Sequence, residues 1–135
     1  MTASVTSLRA DTARLSIDRV DESTSDHRAD VSVTLHWDGA AHTGETSGSP
    51  ASANRPLLVA EATLRAISDA GVRDFTAIEA HVTKVAGSEV ALVAIEDPLL
   101  TQPLIGTAVI PAGNHQLAFA MAALDAVNRR IGTEL

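Results

Sequence analysis

The sequence predicts an α+β domain of two layers, in which a βββα-βββα internal repeat forms an antiparallel sheet with two helices on one face. Three observations predict it. Strand-like segments precede each of two apolar helical segments, the second half of the chain resembles the first after a shift of roughly sixty residues, and Ala, Val, Leu and Ile supply nearly all of a 45% hydrophobic content. A core built from small aliphatic side chains needs many contributors, which favours a sheet covered by helices.

The length of 135 residues is that of one ordinary domain with its own core. We expect residues 1–12 to be a flexible N-terminus and residues 13–135 to form a single domain, with halves at about 13–72 and 73–135. The sequence contains no cysteine, which excludes disulfides, thiolate metal sites and cysteine catalysis. Because we find neither a signal peptide nor ~18 consecutive apolar residues, a cytoplasmic location is expected.

The chain is acidic, with 17 Asp and Glu residues against 10 Lys and Arg residues and a formal net charge of −7. Nucleic acids and anionic membranes bind basic surfaces, so neither is an expected partner. Several acidic residues cluster in the polar segment 21–30, which we predict to be a solvated loop because its spacing is not that of a calcium loop. We predict no metal site and no cofactor.

Alternation of apolar and polar residues predicts three strands in each half, and helical periodicity predicts one helix in each half. The strands are expected at 15–20, 31–37 and 40–46 in the first half, and at 75–85, 90–95 and 104–110 in the second. The helices are expected at 56–70 and 115–131, each closed by a glycine, Gly71 and Gly132. The strand Val90–Ile95 is continuously apolar, which predicts a central position with both faces covered.

The clearest local signal is a hairpin in the first half. Its turn pair, Asp38-Gly39, is the preferred pair for a two-residue type I′ turn. Such a turn fixes the register of the two strands, and this register places Leu35 opposite His42. Leu35 belongs to the apolar side of its strand, so we expect the side chain of His42 to point toward the core.

Several positions of the two halves match when one half is laid over the other. Ala62 and Ala66 fall on Ala122 and Ala126, and with a shift two residues larger Gly44 and Val20 fall on Gly106 and Val82. Order and spacing agree together, which is what an internal duplication produces. The physical consequence would be a pseudo-twofold fold.

The second helix has more apolar surface than one core requires, and the first helix has no comparable surplus. Residues away from its sheet-facing stripe include Phe119, Ala122, Ala123 and Ala126. A helix that is apolar nearly all round is buried nearly all round. We predict that these four residues form the interface of a homodimer with twofold symmetry, since alanines allow close approach and Phe119 can act as an anchor. The alternative is that the neighbouring helix covers this face within one chain.

Two segments resemble a known family. The last helix, especially Ala122–Arg129, is similar to the Ala-rich terminal helix of the C-terminal regulatory domain of 2-isopropylmalate synthase and its citramalate synthase relatives. The strands Val31–Thr46, which lead to Gly48, resemble the first glycine-rich junction of that family. The resemblance implies a dimer that binds an amino-acid or keto-acid end product between βββα units. It does not extend to the catalytic barrel or its metal-binding histidines, so synthase activity is not implied.

The sequence offers candidate ligand-binding residues but no catalytic residue. The histidines show no His-Glu-x-x-His spacing and the serines lie in no nucleophile elbow. His42 is expected to face inward next to Gly44, where it could meet a polar ligand. The other candidates lie at the starts of the two helices, where unpaired N–H groups attract anions: Arg55 at the first, and Gly113 and Asn114 at the second.

Two functional hypotheses remain. The first is a non-enzymatic dimeric regulatory or binding module, whose partner is a small anionic metabolite or another protein. The second is a small hot-dog-like enzyme, a thioesterase or dehydratase acting on acyl thioesters, with His42 as the base. A hot-dog fold wraps one central helix in a long sheet, so two equal helices would argue against the second hypothesis.

Overall fold

The computed structural model describes the backbone of residues 15–134 and the side chains of residues 15–130. Within these bounds the elements are β1 (Ser16–Thr24), β2 (Ala29–Trp37), β3 (Ala40–Gly48), α1 (Arg55–Asp69), β4 (Thr76–Val85), β5 (Ser88–Glu96), β6 (Leu104–Val109) and α2 (His115–Glu134). The predicted α+β class and the βββα repeat are therefore confirmed. The expectation of a flexible terminus at residues 1–12 lies outside the described residues.

Each half of the chain has its own antiparallel three-stranded sheet. The strand order is β1-β2-β3 in the first sheet and β4-β5-β6 in the second. The first strand of each sheet contains a β-bulge at the same place, between Ile17 and Arg19 in β1 and between Ala77 and Glu79 in β4. The equal position of the two bulges identifies a structural repeat of 60 residues in the first two strands of each half.

The hairpin predicted from Asp38-Gly39 is confirmed in both its turn and its register. The two turn residues have φ angles of 54° and 78°, as a type I′ turn requires. Leu35 pairs with His42. The second half has an equivalent turn, in which Ala86 and Gly87 have φ angles of 53° and 82°. The sequence analysis did not identify this second turn, because Ala-Gly is not a preferred pair for it.

Three predicted boundaries differ from the structure. β1 pairs with β2 as far as Thr24, so much of the predicted loop 21–30 is strand. Most of its side chains are exposed and polar, Glu22 being the exception, while its backbone groups are paired. α2 continues through Gly132 to Glu134, since a glycine costs a helix only about 1 kcal/mol. The registers also place Val20 and Ala80 at equivalent positions, opposite Val33 and Val93, so the match of Val20 to Val82 is wrong.

The two helices are enclosed between the two sheets. α1 packs on β2 and β3 of its own sheet, on α2, and on β4 of the other sheet. α2 packs in the same way on β5, β6, α1 and β1. The core is therefore shared by the two halves, since each helix contacts strands of both. Neither helix in residues 15–134 is long and apolar enough to cross a membrane.

The apolar surplus of the second helix has an intramolecular cause, so the predicted interface residues are corrected. Phe119 is 2% exposed, and Ala122, Ala123 and Ala126 are completely buried in a single chain. They cannot offer surface to a second copy in this conformation. α1 is buried in the same pattern, at positions 60 residues earlier: Leu58, Val59, Ala60, Ala62, Thr63, Leu64, Ala66 and Ile67. The apolar side chains extend round both helices because each helix meets two sheets and the other helix.

Gly44 and Gly106 allow the helices to lie directly on the sheets. A Cβ atom at Gly44 would overlap the carbonyl oxygen of Ala62 and the amide nitrogen of Ala66. A Cβ atom at Gly106 would overlap the equivalent backbone atoms of α2. Both glycines face the core at the point where backbone meets backbone, so each half has the same close contact between its third strand and its helix.

Candidate functional site

A cavity of about 320 Å³ lies where the first turns of α1 and α2 meet. Its lining comes from both helices, from β1 and β4, and from the segment before α1: Glu22, Ser52, Arg55, Pro56, Val59, Val82, His115, Gln116 and Phe119. A volume of this size is at the lower end of the range for small-molecule sites. The cavity therefore suits a small metabolite.

The lining residues are related by the internal repeat. Glu22 pairs with Val31, and Val82 pairs with Ala91, which is the equivalent of Val31 in the second half. The lining thus contains four pairs of residues 60 positions apart: Glu22 and Val82, Arg55 and His115, Pro56 and Gln116, and Val59 and Phe119. A site that takes equivalent residues from both halves straddles the pseudo-twofold axis. We call it the axial cavity.

A largely buried ion pair forms the polar part of the axial cavity. The Glu22 carboxylate accepts hydrogen bonds from the Arg55 guanidinium, one of them from Nε at 3.1 Å, and from Gln116 Nε2 at 3.1 Å. The side chain of Glu22 is 11% exposed and that of Arg55 is 34% exposed. The hydrogen bond from Arg55 holds the pKa of Glu22 below its usual range against the opposing effect of burial, and the same bond raises the pKa of Arg55.

The two halves differ in chemistry where they line the axial cavity. The acid Glu22 of the first half is replaced by Val82 in the second, and Arg55 is replaced by His115. The charged side chains therefore lie on one side of the axis, and the walls contributed by Val59, Val82 and Phe119 are apolar. This arrangement matches a small molecule with one charged end and one aliphatic end.

The two helix N-termini are capped differently. Asn114 accepts a hydrogen bond from the Leu117 amide at 3.2 Å through its side-chain oxygen, so it caps α2. Within residues 15–134, Asn54 stands at the equivalent position of α1 but makes no side-chain capping bond. The first turn of α1 is compensated through the backbone instead, since the Arg55 amide donates to the Ala51 carbonyl at 3.2 Å, Pro56 has no N–H group, and the Leu58 amide donates to the Asn54 carbonyl at 3.2 Å.

The structure does not bring the predicted ligand-binding residues together. His42 Nδ1 donates a hydrogen bond to the Asp69 carboxylate at 3.1 Å, at the C-terminal end of α1. Arg55 lies at the other end of the same helix, roughly 20 Å away at the α-helical rise per residue. Gly44 serves the close contact described above. Gly113 has a φ of 78°, which belongs to the turn before α2.

Arg55 is the predicted residue that lines the axial cavity, and its main partner was missed. Glu22 fell in the polar segment that the sequence analysis interpreted as a loop. Two sequence signals could have led to the missed residues. One is a longer β1 that pairs with β2, and the other is the 60-residue shift that relates Arg55 to His115. Applied to the first turns of α1 and α2, the same shift relates Pro56 to Gln116, the second partner of Glu22.

A second cluster of charges is buried away from the axial cavity. Asp97 is fully buried and accepts hydrogen bonds from Arg73 at 2.7 Å, from Arg130 at 3.0 Å and from the Leu99 amide at 2.9 Å. Burial raises the pKa of Asp97, but these hydrogen bonds outweigh it and the pKa is lowered overall. The cluster ties the segment before β4, the segment after β5 and the end of α2 to one another, which is a structural role.

The described side chains contain no group of three or more His, Asp or Glu residues that could hold a metal ion. The fold and cavity define a class: a duplicated βββα domain with a small site between its halves. No protein-family model matches the sequence, and a comparison with curated proteins found no match.

Proposed function

We propose that the protein is a non-enzymatic binding module, which holds a small carboxylate-bearing metabolite in the axial cavity and acts as a regulatory unit in the cytoplasm. The observation that carries the proposal is the composition of this cavity. It combines one partly buried ion pair from the first half with apolar walls, at the junction of the two halves. The resemblance of Ala122–Arg129 to the regulatory domains of 2-isopropylmalate synthase agrees with this role.

The charges of the axial cavity define the ligand class. About a third of the Arg55 side chain stays exposed while it is bound to Glu22, so its guanidinium can donate hydrogen bonds to a second carboxylate. The N-terminal end of α1 adds the partial positive charge of the helix dipole on the same side. An aliphatic group of the ligand would then contact Val59, Val82 and Phe119. Branched-chain amino acids and their keto acids have this combination of groups.

Amino acids and keto acids distinguish two modes of binding. An amino acid also carries an ammonium group, which the Glu22 carboxylate would attract. A keto acid offers only the negative charge and would compete with Glu22 for Arg55. Tighter binding of amino acids would therefore identify Glu22 as a ligand-binding residue, and tighter binding of keto acids would restrict the recognition to Arg55 and the helix end.

The architecture does not favour the alternative of a hot-dog-like acyl-thioester enzyme. A hot-dog fold encloses one central helix in one long sheet, whereas this chain has two helices and two three-stranded sheets. His42, the base in that hypothesis, lies against Asp69 at the end of α1 that is far from the axial cavity. No second function is proposed.

Titration of the full chain with leucine, isoleucine, valine and their keto acids, followed by thermal unfolding and calorimetry, tests the proposal. A ligand at ~100 times its dissociation constant stabilises the folded state by about 2.7 kcal/mol, which is a shift of several degrees in a domain of this size. Val82→Phe fills the cavity and should abolish the shift. Met121→Phe adds the same ring at an exposed position outside the cavity and should retain it. If none of the six compounds stabilises the protein, the metabolite proposal is wrong.

A further inference from the structure

The outer faces of the two sheets have opposite character. Within residues 15–130, the large hydrophobic side chains that are exposed all belong to the second half. Two of the most exposed, Ile105 at 51% and Val109 at 66%, lie on the outer face of the second sheet beside the half-buried Leu92. The residues of β5 and β6 on this outer face are Val90, Leu92, Ala94, Ile105, Thr107 and Val109. We call them the apolar sheet face.

The first sheet provides an internal control for the apolar sheet face. Three pairs of neighbouring residues form this face, and each has an equivalent pair in the first sheet with the same register. Val90 and Val109 correspond to Asp30 and Ser47, Leu92 and Thr107 to Ser32 and Glu45, and Ala94 and Ile105 to Thr34 and Thr43. The same fold therefore accepts a fully polar outer face, so the apolar residues of the second sheet are not required by folding.

We infer that the apolar sheet face is a docking surface for a second copy of this chain, with the two faces packed against each other across a twofold axis. The middle strand β5 reads in sequence as a strand covered on both faces, but in a single chain Leu92 and Ala94 on its outer face are only half-buried. Two sheets that pack face to face leave about 10 Å between them, filled by side chains from both. A twofold axis brings the same face of both copies together. This inference is independent of the proposed ligand.

Charge favours this occupant and this face. Two chains that each carry a formal charge of −7 repel each other, and they associate best where like charges are absent. None of the six residues of the apolar sheet face is charged, whereas the six equivalent residues of the first sheet include Asp30 and Glu45. Glu79 and His81 of β4, opposite Ala94 and Leu92, lie beside this face and contact each other at 3.0 Å. The net negative charge of the chain also disfavours binding of nucleic acids and of anionic membranes at this face.

The area and the edge of the second sheet define the geometry of docking. The outer face of the whole second sheet, three strands about 4.8 Å apart and up to ten residues long, measures roughly 15 Å by 30 Å, and the apolar sheet face occupies its centre and one side. Protruding side chains enlarge this area toward the ~800 Å² per partner of a standard interface. Asp125 of α2 accepts a hydrogen bond from the Thr107 amide at 3.1 Å, which occupies a backbone donor on the open edge of β6. Docking through the face is therefore favoured over strand addition at the edge.

The first test measures the oligomeric state of the full chain by sedimentation equilibrium and light scattering. The wild type is expected to be a dimer. The triple variant Leu92→Ser, Ile105→Thr, Val109→Ser carries the residues of the first sheet at the equivalent positions, and its dimer dissociation constant should rise by about 100-fold or more. Leu99→Ser removes an exposed leucine outside the face and should leave dimerisation unchanged. Circular dichroism checks folding, and Val109→Ser alone replaces the triple variant if that one unfolds.

The second test locates the interface directly. The chain has no cysteine, so Thr107→Cys and Glu45→Cys introduce single, equivalent cysteines on the two outer faces. A short bismaleimide should give covalent dimers with Thr107→Cys and not with Glu45→Cys. A monomer at every concentration, a dimer insensitive to the triple variant, or preferential crosslinking of Glu45→Cys would each overturn the inference. In the first of these cases the face would have to serve a different protein.

Discussion

Gly44 and Gly106 show how single residues determine the distance between helix and sheet. Gly44→Ala is expected to lower the free energy of unfolding by at least about 2 kcal/mol, because the added methyl group meets backbone atoms of α1 that cannot rotate away. Gly48→Ala is the matched control on the same strand. Its methyl group would meet a side-chain atom, Leu58 Cδ2 at 3.1 Å, and not backbone, so it should cost less than about 1 kcal/mol. Urea unfolding measures both, and equal losses would contradict the prediction.

Asp97 is the charged residue that is fully buried among the described side chains, so its charge should contribute to stability. Its pKa is lowered in the folded state, so its contribution is present above the unfolded pKa and is lost as the pH falls through the lower folded value. Asp97→Asn should lower the free energy of unfolding by about 3 kcal/mol at neutral pH. The difference from the wild type should shrink as the pH falls below about 4.

Asp21→Asn is the control for Asp97→Asn, since Asp21 pairs with Arg19 in a bridge whose two side chains are mostly exposed. We expect a change below about 0.5 kcal/mol. Urea unfolding over a series of pH values measures both variants. A difference for Asp97→Asn that stays constant down to strongly acidic pH would show that shape, and not charge, is responsible.

The site was predicted from the sequence only where local chemistry was sufficient. Arg55 could be selected because it stands at the start of a helix, which is a local feature. Glu22 could not, since its importance depends on a contact 33 residues away in the chain. His42 was correctly placed on the core side of its strand, but its partner Asp69 and its distance from Arg55 follow from the path of α1 over the sheet.

At the scale of elements, the strands were easier to predict than the environment of the helices. Alternation defines a strand with one buried face, and a type I′ turn fixes its register, so β2 and β3 were predicted almost to the residue. A helix that is apolar all round indicates burial without indicating which neighbour buries it. We predicted that a second chain is that neighbour, whereas β1 of the first sheet and the other helix cover this side of α2 within one chain.

Phe119→Ala tests the corrected position of α2. Phe119 is buried within one chain, so its truncation should lower the free energy of unfolding by about 3 kcal/mol or more and leave the dimer dissociation constant unchanged. Met121→Ala, on the same helix but 46% exposed, should cost less than about 1 kcal/mol. Denaturation at two protein concentrations, combined with sedimentation, separates the two roles. A wild-type stability with a weakened dimer would restore the interface interpretation.

On the scale of the whole molecule, the two halves are alike in fold and unlike in surface. The axial cavity lies on the pseudo-twofold axis and has its charged side chains on one side. The second sheet has an apolar outer face that the first sheet lacks. Duplication produces two equal scaffolds, and divergence can change a surface residue without disturbing the fold. The inner residues diverge less, because each helix is packed between both sheets.

Shared packing predicts that the halves unfold together. Trp37 is the single tryptophan, belongs to the first half and packs against the core, so its fluorescence reports on that half. Ile95→Ala removes a fully buried side chain from the second half and should cost about 2–5 kcal/mol. Because α1 lies on β4 and α2 lies on β1, loss of the second half uncovers the first. The Trp37 transition should therefore shift by the same amount as the far-ultraviolet circular dichroism transition. A fluorescence midpoint that stays at its wild-type value, while the dichroism transition splits in two, would show that the halves are independent folding units joined by the segment between α1 and β4.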